Sequence, residues 1–243
     1  MHSDRKQVAL VSGGNKGIGR ETVRGLAERG YIVYMGSRDA AGGERAKEEL
    51  ALPASDIRVV PLDVTDADTV AGAAELLREQ VGRLDILVNN AGVQLERAAP
   101  TKCDPQTLRQ TYEVNVFGTV SLTQAMMPLL RNGDAKVIVN VSSELGSLAL
   151  HSEPDFRYGK ANLFAYNSSK AALNALTVLL AKELKEEGFK VNSVDPGYTS
   201  TALNQFNGAG SAQQAAQIVV RYATLGADGP TGGFFTEGGT LPW

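Results

Sequence analysis

Val8-Ala9-Leu10-Val11-Ser12-Gly13-Gly14-Asn15-Lys16-Gly17-Ile18-Gly19 decides how this chain folds. Four apolar residues in succession, without polar alternation, read as a strand buried on both faces. Glycines at 13, 14, 17 and 19 then interrupt the run, and Gly17–Arg29 reads as a helix opening inside the turn. Glycine permits a tight turn and lets main chain approach a ligand closely. A helix beginning there offers free N–H groups and a positive dipole end to a phosphate. Strand, turn and helix together predict a dinucleotide site at Gly13, Asn15, Lys16, Gly17, Ile18 and Gly19, with the glycine backbone approaching the pyrophosphate. The spacing is Gly13-x-x-x-Gly17-x-Gly19, which differs from the common G-x-G-x-x-G fingerprint.

The strand–helix unit recurs along the chain. Tyr31–Met35, Ile57–Leu62, Ile86–Val88, Val137–Val141 and Val191–Val194 are further short apolar runs. Between them lie segments with helical spacing, such as Leu173, Leu176, Leu179, Leu180 and Leu184. This alternation predicts a parallel sheet with helices on both faces and right-handed crossovers. No linker or repeat divides it, so 1–243 reads as a single domain. Two connections are longer than such a layout needs. Glu144–Ala165 reads as an insertion, and Pro196–Ser211 as a substrate lid. In the lid, Tyr198, Leu203 and Phe206 are candidates to close an apolar pocket, with Gly208 and Gly210 as hinges.

Composition narrows the function classes. With 43% hydrophobic residues and a net charge of −3, the chain has the profile of a globular protein with no call for nucleic acid or a polybasic membrane contact. No apolar run reaches the ~18 residues of a membrane span. The start, Met1-His2-Ser3-Asp4-Arg5-Lys6, lacks the apolar core of a secretory signal, so a cytoplasmic location is expected. The lone Cys103 forms no internal disulfide and reads as a spare thiol. His2 and His151 are the only histidines, too few for a structural zinc site; no metal is expected, and His151 reads as a solvated loop residue.

Further motifs follow in order. Asn89-Asn90-Ala91-Gly92 ends the fourth strand, and Asn115 lies in Val114-Asn115-Val116-Phe117-Gly118 within a long helix. Ser142-Ser143 ends the fifth strand, Tyr166-Asn167-Ser168-Ser169-Lys170 opens a helix, and Pro196-Gly197 ends the sixth strand. With the glycine turn, these motifs resemble the short-chain dehydrogenase/reductase family over nearly the whole chain, with Ser12 where the family usually has threonine. Gly13–Gly19 and Phe234–Trp243 are most similar to its carbonyl-reductase branch. The resemblance implies a Rossmann-type doubly wound parallel sheet of about seven strands. It also implies NADPH-dependent, reversible reduction of a ketone or aldehyde carbonyl to an alcohol.

Tyr166 and Lys170 are four apart and so share one helix face. A neighbouring ammonium favours phenolate, so Lys170 is expected to draw Tyr166 down towards the range useful to a general acid/base. By resemblance, Ser143 rather than Ser142 holds the substrate oxygen. Asn115 positions a water that relays protons to Lys170, and Lys170 also holds the nicotinamide ribose. The resemblance puts Asp63 and Val64 beside the adenine and Asn90, Ala91 and Gly92 along the adenosine, with Asn90 also a brace for its strand. Pro196, Gly197, Thr199 and Thr201 meet the nicotinamide amide and the pyrophosphate. Ser37 takes the place of the acid that holds the ribose in NAD-dependent members, while Lys16 and Arg38 match NADP-preferring ones. Asp39 as the ribose acid of an NAD enzyme is the alternative.

Two other functions compete. A redox-sensing regulator without turnover predicts an eroded serine–tyrosine–lysine set. A ketoacyl-type reductase predicts a basic docking patch, for which the insertion has only Arg157 and Lys160. The partners expected are a small-molecule carbonyl or alcohol and further copies of the chain. The resemblance implies a homodimer or homotetramer, and the additional residues of 144–165 leave a monomer open.

Overall fold

A computed structural model describes residues 5–243. His2 and the other residues of 1–4, read above for a secretory signal, lie outside them. Among the described residues eight strands form one sheet: β1 (Val8–Val11), β2 (Ile32–Ser37), β3 (Asp56–Pro61), β4 (Ile86–Asn89), β5 (Val137–Val141), β6 (Lys190–Val194), β7 (Phe234–Thr236) and β8 (Gly239–Thr240). Their order is β3-β2-β1-β4-β5-β6-β7-β8. Strand β1 pairs in parallel with both β2 and β4, so the winding reverses beside it. In such sheets the crevice at that reversal, at the carboxyl ends of the strands, is where ligands bind.

The expected doubly wound parallel sheet of about seven strands is present as β1–β7. Strand β8 is an eighth, and it runs antiparallel to β7 with Thr236 opposite Gly239. The two-residue Glu237-Gly238 connection permits only a hairpin, because a parallel return needs a long crossover. Strand β2 also runs on to Ser37, held by its pairing with Pro61.

Helices α1 (Gly17–Ala27), α2 (Ala40–Leu50), α3 (Ala67–Gln80), α4 (Pro105–Tyr112), α5 (Gly118–Arg131), α6 (Leu148–Ser152), α7 (Phe164–Glu183) and α8 (Ala212–Ala223) flank the sheet. Successive strand residues feed two separate cores. Val11, Met35 and Val88 join Val23 and Leu26 of α1 and Val219 of α8 on one face. Leu10, Tyr34 and Leu87 join Leu77 of α3, Leu122 of α5 and Ala181 of α7 on the other. Burial on both sides explains why the strands lack alternation.

Between α4 and α5 lies a π-helical turn, Glu113–Phe117, so the long helix expected around Asn115 carries a bulge there. The insertion is more ordered than a loop: it holds a 3₁₀ turn (Glu144–Gly146) and α6, and α7 already begins at Phe164. The lid is pinched by a bridge between Thr199 and Gly210. A Cβ on Gly208 would overlap the main chain of Thr199 and Ser200, so that glycine serves close packing rather than a hinge. Among the described residues no helix is long and apolar enough to cross a membrane.

Candidate active site

The glycine turn leaves β1 at the sheet's reversal and is tied to both neighbouring strands. Gly14 N donates to Gly36 O at the end of β2 (2.8 Å). Asn90, after β4, donates through Nδ2 to Ser12 O (2.9 Å) and Gly13 O (3.1 Å). Ser12 Oγ accepts from the main chain of Asn90 and Ala91, each at 3.0 Å. Asn90 is therefore a brace of the turn, and Ser12, passed over as a site residue, is the other half of that brace. Lys16 precedes α1 and is exposed, and Arg38 is exposed just beyond β2. Asp39 starts α2 and pairs with Arg45 at 3.4 Å, while Ser37 is fully buried and donates to Asp39 O.

The other expected cofactor residues gather around this crevice. Asp63 caps a turn by accepting from Thr65 N at 3.0 Å, and buried Val64 packs where Gly118 of α5 comes close. A Cβ on Gly92 would sit 3.4 Å from Asn115 Oδ1 and 3.6 Å from Lys170 Nζ. From the lid, Thr201 reaches the glycine turn: a Cβ on Gly17 would lie 3.4 Å from its methyl group. The Thr199 hydroxyl is spent on Pro196 O and Gly197 O, so it shapes the turn.

Ser143, Tyr166 and Lys170 come together beyond the carboxyl end of β5. Ser143 and Tyr166 are hydrogen-bonded through their side chains. Lys170 Nζ donates to Val141 O at 2.8 Å and lies 5.6 Å from the Tyr166 ring centroid. Asn115 accepts from Val93 N (2.8 Å) and donates to Val93 O (2.9 Å) and Ser169 Oγ (3.0 Å). Its side chain thus joins the π turn to the 91–93 segment and to α7.

A buried polar ladder sets the rotation of α7 on the sheet. Asn89 Nδ2 donates to Asn140 Oδ1, Asn140 Nδ2 to Thr177 Oγ1, and Thr177 meets Ser193, each at 2.8 Å. Ser142 Oγ donates to Asn174 Oδ1 at 2.7 Å. Such groups are costly to bury unpaired, so one rotation of α7, the one that brings Tyr166 to Ser143, satisfies them. A polar residue inside an apolar strand run, Asn140, was the available signal for this ladder.

A family model described as short chain dehydrogenase matches residues 7–211. The chain belongs to the short-chain dehydrogenase family. It is 34% identical to (−)-isopiperitenone reductase of Mentha piperita, in an alignment covering 95% of this chain and 96% of that one. The carbonyl reductase Sniffer of D. melanogaster superposes with a TM-score of 0.84 at 27% identity, covering 98% of this chain and 100% of that one. RhlG of Pseudomonas aeruginosa, solved as an NADP active-site complex, superposes with a TM-score of 0.82 at 28% identity, covering 98% of each.

Electrostatics in this short-chain dehydrogenase differ from the expectation drawn from Tyr166 and Lys170 alone. Burial pushes the Tyr166 phenol above the ordinary tyrosine range, the charge of Asp195 adds to this, and the Ser143 hydrogen bond pulls it partly back. Burial pushes Lys170 itself down to about 8, so it is an ammonium at neutral pH but has lost its proton before the raised phenol ionises, and the phenol's own titration is not drawn down by it. Asp195, which the sequence reading missed, is buried and raised to about 6, chiefly by burial and then by Glu144. Only its place beside Pro196 hinted at it.

His151 is partly buried rather than solvated: its Nε2 lies 3.1 Å from Leu145 O and 3.3 Å from Asn167 Nδ2. A hydrogen bond to Glu96, and after it burial, push the Cys103 thiol up to about 11, which makes it a poor nucleophile. A groove lined by Leu150, Glu153, Pro154, Phe156, Arg157 and Leu241 also touches Glu144. Ser143, Tyr166 and Lys170 do not line it.

The low value of Lys170 has a consequence for stability. From about 8 up to the ordinary lysine value of 10.5, the unfolded chain holds the proton that the folded chain has released, so stability rises with pH across that window. At neutral pH the buried ammonium costs roughly 3 kcal/mol, partly offset by its bond to Val141 O. Lys170→Met is expected to raise unfolding free energy at pH 7 by about 2 kcal/mol while removing activity. Urea melts at pH 7 and pH 9.5 check it: the gain should shrink at the higher pH. A variant less stable than wild type at pH 7 would contradict it.

Proposed function

We propose that this oxidoreductase reduces the carbonyl of a small ketone or aldehyde to an alcohol, reversibly, with NADPH. The observation that carries this reading is the meeting of Ser143, Tyr166 and Lys170 beside the braced glycine turn. The turn fits a dinucleotide. No acidic side chain lies in the first turn of α1, and a Cβ on Gly19 would fill the cradle against Gly13 O and Asn90 Nδ2. The nicotinamide, when bound, supplies the hydride.

The chain's own residues do the rest. Ser143 donates to the substrate oxygen and holds it at the phenol. Tyr166, protonated in its buried setting, gives its proton to that oxygen as charge develops on it. Lys170, fixed on Val141 O, stabilises the phenolate left behind and holds the nicotinamide ribose. Asn115 keeps Val93 and its neighbours in place under the reacting centre and serves the proton path to Lys170. Asp63, Val64, Ala91, Gly92, Pro196, Gly197, Thr199 and Thr201 line the cofactor cleft. Tyr198, Leu203 and Phe206, all exposed on the lid, close over the substrate.

Lys16 and Arg38 are the phosphate anchors. Gly14 N on Gly36 O brings their two turns side by side, and two cations there favour the 2′-phosphate of NADPH. Asp39 is engaged by Arg45, which argues against a ribose acid. Arg38→Ala is expected to raise KM for NADPH by roughly 10- to 100-fold, the worth of one or two charge-assisted bonds, and to leave KM for NADH unchanged. Steady-state kinetics with both cofactors test this. Wild-type kcat/KM equal or higher with NADH would sink the NADPH assignment.

A further inference from the structure

We propose that His151 is a positioning residue for Ser143: from α6 it fixes the Leu145–Gly146 peptide, and the turn built on that peptide holds the serine. This rests on the reading of Ser143 as the residue that holds the substrate oxygen. His151 Nε2 lies 3.1 Å from Leu145 O. A carbonyl oxygen only accepts, so the ring nitrogen facing it carries the proton and donates. The other neighbour of Nε2, Asn167 Nδ2 at 3.3 Å, is itself a donor and is committed to Ala161 O at 2.8 Å. Across the same peptide unit, Gly146 N donates to Ser143 O at 2.8 Å. Leu145 N donates to Ser143 Oγ at 3.3 Å. The imidazole therefore acts on both oxygens of Ser143 through one residue, Leu145, and the peptide that follows it.

The ring has a fixed place. Phe156 of the insertion meets it edge-on, with centroids 5.1 Å apart. Helix α6, which carries His151, is pinned to the sheet edge. The fully buried Ser147 hydroxyl donates to Pro242 O at 2.7 Å, with Trp243 O 3.1 Å away. Ala149 N donates to Trp243 O at 2.9 Å, and the Trp243 ring stacks on Phe234 of β7 at 5.6 Å. The turn also packs tightly on α7: a Cβ on Gly146 would lie 2.7 Å from the main-chain carbon of Lys170. A single 3₁₀ turn is held weakly by its own hydrogen bonds, so an outside donor has leverage over where it sits. The insertion thus supplies a side chain that sets the serine, besides covering the site.

The test compares His151→Phe, which keeps a ring beside Phe156 and loses the donor, with His151→Gln, which loses the ring and keeps a donor. His151→Ala, which crowds nothing, is read in parallel with His151→Phe. In NADPH-dependent reduction, His151→Phe should lower kcat by roughly 10-fold, within the cost of a small misplacement of a reacting group. The Kd of NADPH should stay within about twofold, and His151→Gln should recover most of the rate. A second readout needs no turnover: hydrogen exchange at the Gly146 amide, assigned by triple-resonance NMR. Exchange should quicken about tenfold in His151→Phe, as the turn opens more readily, and keep the wild-type rate in His151→Gln. If wild type reduces no carbonyl, the function reading fails and the Gly146 amide still decides whether His151 holds the turn. Unchanged Gly146 exchange or unchanged kcat in both donor-free variants would overturn the proposal. So would a His151→Gln variant as impaired as His151→Phe.

Discussion

Tyr166→Phe is expected to lower kcat by about 10³-fold, within the range a positioned general acid contributes, and to leave the cofactor's Kd within about twofold, because only the transition state loses an interaction. The substitution removes one oxygen from a ring that is 8% exposed, so packing is retained. It deletes the partner of Ser143 and the atom proposed to deliver the proton. Lys170 keeps its bond to Val141 O and the glycine turn is untouched. Single-turnover kinetics and a cofactor titration separate the two effects. A variant that turns over at a tenth of the wild-type rate or more would remove Tyr166 from the reaction.

Gly19→Ala carries the second large effect. The new Cβ would lie inside van der Waals contact of Gly13 O and 2.5 Å from Asn90 Nδ2. Neither neighbour has room to yield, since Asn90 holds Ser12 O and Gly13 O and Ser12 holds Asn90 and Ala91. Overpacking of this kind costs about 1–3 kcal/mol, and it falls on the atoms proposed to cradle the pyrophosphate. NADPH affinity is expected to drop about 100-fold, the equivalent of roughly 3 kcal/mol. Gly72→Ala is the control. A Cβ there meets nothing within 4 Å on α3, so it should leave affinity unchanged and add about 0.5–1 kcal/mol of stability. Fluorescence titration of NADPH and a thermal melt read both variants. Unchanged affinity in Gly19→Ala would mean that the turn does not hold the cofactor.

Local signals were legible in the chain. The apolar runs at Val8–Val11 and Val137–Val141 are strands with the expected bounds, because burial on both faces leaves an uninterrupted apolar pattern. The glycine turn, Asn90, Ser143, Tyr166 and Lys170 meet in one crevice because each ends or begins an element at the sheet's carboxyl edge. Long-range features were not legible. Asp195 and Glu144 look like ordinary polar residues until the fold buries them side by side. The phenol's upward shift depends on how much water the fold removes, which the Tyr166–Lys170 spacing does not encode. Asn140 and Thr177 are 37 positions apart, and their pairing is a property of how α7 lies on β5. The two-residue hairpin that makes β8 antiparallel was written in Glu237-Gly238 but hidden by the brevity of its strands.

The most direct test follows the transferred hydrogen. The protein is mixed with NADPH carrying deuterium at both C4 positions of the nicotinamide and with a panel of ketones and aldehydes, and the products are read by NMR. The expected result is an alcohol carrying deuterium on the former carbonyl carbon, formed by wild type and not by Tyr166→Phe. NADPH left unconsumed with every member of the panel, or an alcohol without deuterium, would contradict the account.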